Sequence, residues 1–222
     1  MLVVRTALIA PFAKFRRLHS YGQLRRDQRG VAFVEFALSL PLLLILMGSG
    51  LELANYVIAT KQIGELAAMV SDNASRMGSQ SGLRNKPISE ADINDVFIGA
   101  DLQAGPLDID KNARIILSSL QRDDDGSQKI VWQRCFGEQD DASAYGVEGA
   151  TIASGMGPAG AEVTAAPNTA VMVVEVVYRY QRLMPVMGLP LGEIREFAAF
   201  NIRDDRDLTE PPTLNATPSK CD

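Results

Sequence analysis

The chain has 222 residues, 46% of them hydrophobic and 22% charged, with a formal net charge of −5; that is room for one domain, or a small domain with extensions. One histidine, His19, and two cysteines, Cys135 and Cys221, exclude a clustered Cys/His zinc site. Aromatics at 6% are too sparse for stacked-base recognition of nucleic acid.

The charge is unevenly placed. Residues 1–30 hold Arg5, Lys14, Arg16, Arg17, Arg25, Arg26 and Arg29 against one acid, Asp27, a formal +6, while the other 192 residues carry 15 basic and 26 acidic groups. Asymmetry of this kind marks a chain whose ends meet different surroundings. Residues 2–10 are apolar but interrupted by Arg5. They are too short to span a bilayer and are expected on its inner surface, with Lys14, Arg16 and Arg17 against anionic lipid. Nucleic-acid binding by this patch is the weaker alternative, because no recognition motif accompanies it.

From Phe36 to Leu51 there is no charge, and extension back to Gly30 gives 22 residues interrupted only by Glu35. As a helix this covers about 33 Å, against a hydrocarbon core of roughly 30 Å. The polar stripe of a soluble helix is missing between Phe36 and Met47. The basic cluster before the segment places the N-terminus in the cytoplasm and exports the chain beyond about residue 58. A cleaved secretory signal is the alternative, but its apolar core is shorter and nearer the start, and an Ala-x-Ala site is missing here. The organisation expected is a basic cytoplasmic leader (1–30), a transmembrane helix (31–58), an exported domain (59–203) and a C-terminal tail (204–222). Gly50 and Ala54 are spaced to let another helix approach, although small residues are common in membrane helices in any case.

Leu51, Tyr56, Ile63, Leu66, Ala67, Val70, Ala74 and Met77 keep helical spacing, so the helix continues past the membrane to about residue 77 with one face covered by a domain. A loop comes next, around Gly78–Pro87. Ser89 and Asp92 form a capping pair for a second helix, which ends near Gly105-Pro106. Residues 113–120 and 128–136 alternate as strands around the turn Asp123-Asp-Asp-Gly126. That acidic turn lacks the spacing and distal Glu of a calcium loop. Residues 137–168, rich in Gly, Ala and Ser, read as a long mobile loop and a contact surface, without the Lys-Ser/Thr ending of a phosphate loop. Two more strands are expected at about 169–182 and 193–203. The class is α+β: helices on one face of an antiparallel sheet of about four strands, with an acidic, Pro-rich tail pinned only at its end. Two cysteines in an exported domain suggest a disulfide, Cys135 to Cys221, tying the tail to the sheet. Two free thiols are the alternative. A nucleophilic cysteine is the weakest reading, because the sole His lies across the membrane.

The run Arg29-Gly30-Val31-Ala32-Phe33-Val34-Glu35-Phe36-Ala37-Leu38-Ser39-Leu40-Pro41 resembles the TadE-like (TadE/TadG) family of minor pseudopilins from tight-adherence (Flp-type) pilus systems. It has the Gly, the short apolar stretch, the motif Glu35-Phe36-Ala37-Leu38 and the nearby Pro41. A carboxylate inside an apolar span is unusual, costing about 2.5–3.5 kcal/mol at a membrane centre. Val171–Tyr180 with Leu183-Met-Pro185, and Glu196–Arg203, resemble the family's last strands more weakly. The resemblance implies a pilin-like fold, with a spine helix half in lipid and half in protein. It also implies a prepilin-type processing site between Gly30 and Val31, with Glu35 fifth in the mature chain, and an assembly role for Glu35. This leader is long for a pilin, and some relatives stay uncut.

The resemblance implies a non-enzymatic assembly component in the bacterial inner membrane, with its C-terminal domain periplasmic. Implied partners are the inner membrane, the pilus assembly platform, other minor pseudopilins, the prepilin peptidase and the major Flp-type pilin. No cofactor, metal, nucleic acid or small-molecule substrate is expected. The rivals are a membrane-anchored periplasmic binding domain unrelated to pili, which would tolerate Glu35→Leu, and a membrane-bound periplasmic enzyme.

Overall fold

The structure is a computed structural model describing residues 30–78, 86–123, 125–185, 188–203, 206–214 and 216–221. Residues 1–29 of the basic leader and residues 79–85 of the expected loop lie outside the described residues. The chain divides into two compact units, residues 1–47 and 48–222.

Helix α1 spans Val31–Arg76, 46 residues, and contributes to both units. In the first unit it is bare: every side chain from Val31 to Met47 is exposed. Pro41 sits inside the helix, where it withholds the amide that would meet the carbonyl of Ala37. In the second unit the same helix has a covered stripe, Glu52, Ala59, Ile63, Leu66, Ala67, Val70, Ser71 and Ala74, at the three- and four-residue spacing of one helical face. Several of these are small, which brings the backbone close to the sheet: the Ser71 hydroxyl donates to the carbonyl of Met172 at 2.7 Å.

Farther along the chain, α2 (Glu90–Ala104) begins with the capping pair the spacing predicts. The Ser89 amide donates to Asp92 Oδ2 at 2.8 Å and the Asp92 amide to Ser89 Oγ at 3.4 Å, satisfying donors that the first helical turn leaves open. It ends at Gly105, which takes φ +51°. A short 3₁₀ turn (Gly105–Leu107) and α3 (Ile109–Asn112) lead into β1 (Ala113–Arg122), β2 (Gln128–Phe136), β3 (Thr151–Ile152), β4 (Ala170–Arg179) and β5 (Glu193–Asn201). The sheet is antiparallel in the order β3-β2-β1-β4-β5. It has five strands rather than about four; the additional one, β3, is a two-residue edge inside the expected loop.

Both faces of this sheet are covered. Ala113, Ile115, Leu117, Trp132, Met172, Val174, Val176 and Tyr178 pack with the helices. On the other face Leu120, Ile130, Val171 and Val173 pack with Ile152, Met156 and Ala165 from the segment 137–168. That segment is therefore a folded cover and not a mobile loop. The reason is in β4, whose Val-Met-Val-Val-Glu-Val-Val is apolar on both parities and needs cover on both sides. A register shift between Ser119 and Leu120, opposite Trp132 and Ile130, marks a bulge at Val131. It sends Ile130 and Trp132 to opposite faces although they are two residues apart.

The tail departs from expectation as well. It is held along its length: the Asp207 amide donates to the Lys86 carbonyl at 3.0 Å, the Glu90 amide to Pro212 O at 3.2 Å, and the Cys135 amide to Ser219 O at 2.7 Å. Gln121 Nε2 donates to Leu208 O at 2.7 Å. By meeting the Cys135 amide, the tail occupies part of the β2 edge that β3 is too short to cover.

Candidate functional site

The residues singled out in the sequence fall into two places. Gly30 precedes α1 and accepts the Val34 amide at 3.1 Å, so the helix begins at Val31. Val31 and Glu35 are one turn apart and share a face. Glu35 has no hydrogen-bond or ion-pair partner among the described residues. Phe36 and Leu38 are 55% and 75% exposed, an exposure that water does not favour for apolar side chains and lipid does. The helix is long and apolar enough to cross a membrane. Glu35 is the one charge in that apolar surface.

A second glutamate, not singled out by sequence reasoning, sits farther along α1. Glu52 is 1% exposed. Its Oε1 accepts from the Tyr180 hydroxyl at 2.9 Å and the Leu183 amide at 3.2 Å, and its Oε2 from the Met184 amide at 2.7 Å. Asn55 Nδ2 donates to the same Tyr180 oxygen at 2.7 Å, and the Tyr56 and Tyr180 rings meet edge to face with centroids 5.0 Å apart. Three donors on one carboxylate offset its removal from water. The effect is to fasten the β4–β5 loop to the helix. The signal available was weak: one acid directly after Leu51, with its partners 128–132 residues away.

The third cluster joins the domain's seams. Arg134 on β2 is almost fully buried, with Glu90 of α2 equally so. Its Nη2 donates to Glu90 Oε1 at 2.6 Å and its Nη1 to Glu148 Oε2 at 2.7 Å, with Glu210 of the tail at 3.4 Å. Burial alone would lower the Arg134 pKa; the carboxylates of Glu90 and Glu148 outweigh it and raise it. One guanidinium thus draws together helix, sheet, cover and tail. Next to it Cys135 and Cys221 are joined in a disulfide, closing the ring that the cysteine reading expects. Arg206, in the tail, is 5% exposed and donates to the carbonyls of Ala74, Ser75 and Met77 at 2.7–2.9 Å. These are the open acceptors at the C-terminus of α1, and an arginine also suits the negative end of the helix dipole.

On the cover side, Glu175 accepts from the Ser143 hydroxyl and from the Ala144 amide. Burial raises its pKa and prevails over those hydrogen bonds and the Arg195 charge, all of which lower it. An open, mostly apolar groove of about 630 Å³ runs beside Tyr56, Val57, Thr60, Gly64, Ala68 and Glu196. Among the described residues no group of three or more His, Cys, Asp or Glu is placed to hold a metal.

The arrangement is one of contacts and anchors: an apolar helix with a lone carboxylate, and a domain in which Glu52, Glu90, Arg134 and Arg206 are buried and each hydrogen-bonded to another element. No curated protein and no solved structure matches this chain. A family model does: residues 30–72, from the glycine before the helix through Glu52 and Ser71, match the TadE-like protein family, so the chain carries a TadE-like segment beginning at Gly30.

Proposed function

We propose that this protein is a minor pseudopilin, or assembly component, of a tight-adherence (Flp-type) pilus system. In this reading α1 crosses the bacterial inner membrane once, the basic leader stays in the cytoplasm and the α+β domain stands in the periplasm. The observation that carries the reading is the TadE-like match over residues 30–72, which takes in the bare apolar stretch of α1 and its single carboxylate, Glu35.

The prepilin peptidase cuts between Gly30 and Val31 and frees an α-amino group at Val31. That cation and the Glu35 carboxylate of a neighbouring subunit are each costly in lipid when unpaired, so pairing them favours assembly and fixes the helix register. Phe36, Ala37, Leu38 and Pro41 shape the surface on which that neighbour lies. The partners are the pilus assembly platform, other minor pseudopilins and the major Flp-type pilin, and the work is done by contact and not by catalysis.

The test is intact mass and N-terminal sequence of the protein extracted from its own membranes. A chain starting at Val31 is expected. A chain that keeps the leader removes the α-amino partner and overturns the processing step. An assembly assay on Glu35→Leu separates the remaining possibilities: pilus formation unaffected by that change reduces the helix to a plain anchor.

A further inference from the structure

The loop joining β4 to β5 has no part in the proposed assembly role, yet it is built with care. Leu183 to Leu191 contains no charged residue. Its base is tied twice: Arg182 Nε donates to the Leu191 carbonyl at 2.8 Å, and the Tyr180 amide to Gly192 O at 3.3 Å. Gly188, at φ +63°, donates to Pro185 O at 3.3 Å. Leu183 is nonetheless 61% exposed, and Pro185 and Pro190 are exposed beside it. Exposed Leu183, Pro185 and Pro190 on a loop tied at its base are not explained by the domain's own core.

Its position along α1 supplies the explanation. A span beginning at Val31 crosses about 30 Å in roughly 20 residues, and so leaves the hydrocarbon core near Leu51, with the turns up to about residue 58 in the outer interface. Glu52, in the next position, is the residue that grips the Leu183 and Met184 amides. The helix surface in the same turns is still apolar: Leu51, Leu53, Val57 and Ile58 are each 53–58% exposed. Loop and helix thus both expose apolar side chains in the turns around Glu52, where the span ends. Exposed Arg182 stands at the loop base, where a cation meets lipid phosphates while the apolar residues enter the acyl boundary.

We propose that the β4–β5 loop is a second membrane contact: Leu183, Met184, Pro185 and Leu189 insert into the outer surface of the bilayer beside α1, held in place by Glu52. The inference rests on the membrane-spanning reading of α1. The contact would fix the height of the domain above the bilayer and the tilt of the molecule, which a single span leaves free.

The test uses the full chain in phosphatidylcholine–phosphatidylglycerol vesicles whose acyl chains carry bromine either near the headgroup or deep in the membrane. The single native tryptophan, Trp132, is 1% exposed and supplies a constant background. Reporters are Leu183→Trp, with Leu189→Trp as a second in case the first misfolds, Leu42→Trp for the span, and Leu214→Trp as an exposed control. Shallow bromine is expected to quench the loop reporters more than deep bromine does, deep bromine to quench the Leu42 reporter, and neither to quench the Leu214 reporter. Quenching at Leu42→Trp alone overturns the loop contact and keeps the span. Absence of quenching at every position overturns the span and the contact together. A blue shift at Leu183→Trp without bromine quenching means that protein covers the loop, and also overturns the proposal.

Discussion

Residues 31–47 and 48–76 belong to the same helix, yet their side chains are treated in opposite ways. In the first stretch every side chain is exposed and the one carboxylate, Glu35, has no partner among the described residues. In the second, Glu52 is buried and holds three donors, Ser71 is fully buried and donates to β4, and Arg206 closes the carbonyl end. The buried polar groups of the second stretch find their partners inside the chain, although Leu51, expected on the covered face, stays exposed with Leu53, Val57 and Ile58; the carboxylate of the first stretch finds none among the described residues. Burial therefore separates residues that hold the fold from residues left open to the surroundings, even within a single helix.

The comparison breaks if substitutions in the domain prove harmless, and the largest effect should come from Arg134. Arg134→Ala leaves Glu90 buried without its counter-charge, and should lower the unfolding free energy of the detergent-solubilised full chain by about 3–5 kcal/mol. Denaturant midpoints followed at Trp132 read this, and a loss no larger than that of a surface change would show that the cluster is solvated. Next in size, Cys221→Ser removes the tail's covalent anchor, with an expected cost of about 2–4 kcal/mol. Amide exchange along residues 206–221 should rise with it; unchanged exchange would mean that Arg206 and the backbone bonds hold the tail unaided.

The two glutamates make the sharpest pair. Glu52→Ala should lower the midpoint by less than Arg134→Ala and speed amide exchange at Leu183 and Met184, while Glu35→Leu should leave both unchanged and block assembly. Equal thermal behaviour of the two variants would erase the distinction between the halves of α1.

The smallest effect is a pH dependence from Glu175. Its carboxyl is raised in the folded state by burial, so the folded protein holds this proton to higher pH than the unfolded chain does. The associated stability is fully present below the ordinary glutamate pKa of about 4.3 and declines as pH rises through the folded value. Glu175→Gln should flatten that decline in a pH series of denaturant midpoints. A slope identical to that of the parent chain would assign it to other groups.

Much of this was legible beforehand because it is local. The apolar span, the Ser89–Asp92 cap, the hairpin at Gly126 and the alternation of β1 depend on residues within one or two turns of each other. The β4 run also carried a legible warning, apolar on both parities, that the segment 137–168 had to cover a second face. The bulge at Val131 was not legible, because a period-two pattern continues through it and only the pairing with Ser119 and Leu120 reveals the shift. Nor was the tail: its acids and prolines describe a soluble, extended stretch, and say nothing of which carbonyls Arg206 will find.

By itself the sequence determined the apolar helix with its glycine and lone carboxylate, the α+β class and the motif that matches the TadE-like family. Each is written in composition, charge or short-range spacing, the quantities that decide between lipid, core and water for one segment at a time. Only the tertiary structure decided that Glu52 grips the β4–β5 loop, that Arg134 joins four elements and that Arg206 caps α1. Each of these needs a charged group removed from water and then matched by a partner tens of residues or more away, and such a match exists only once packing has brought the two together.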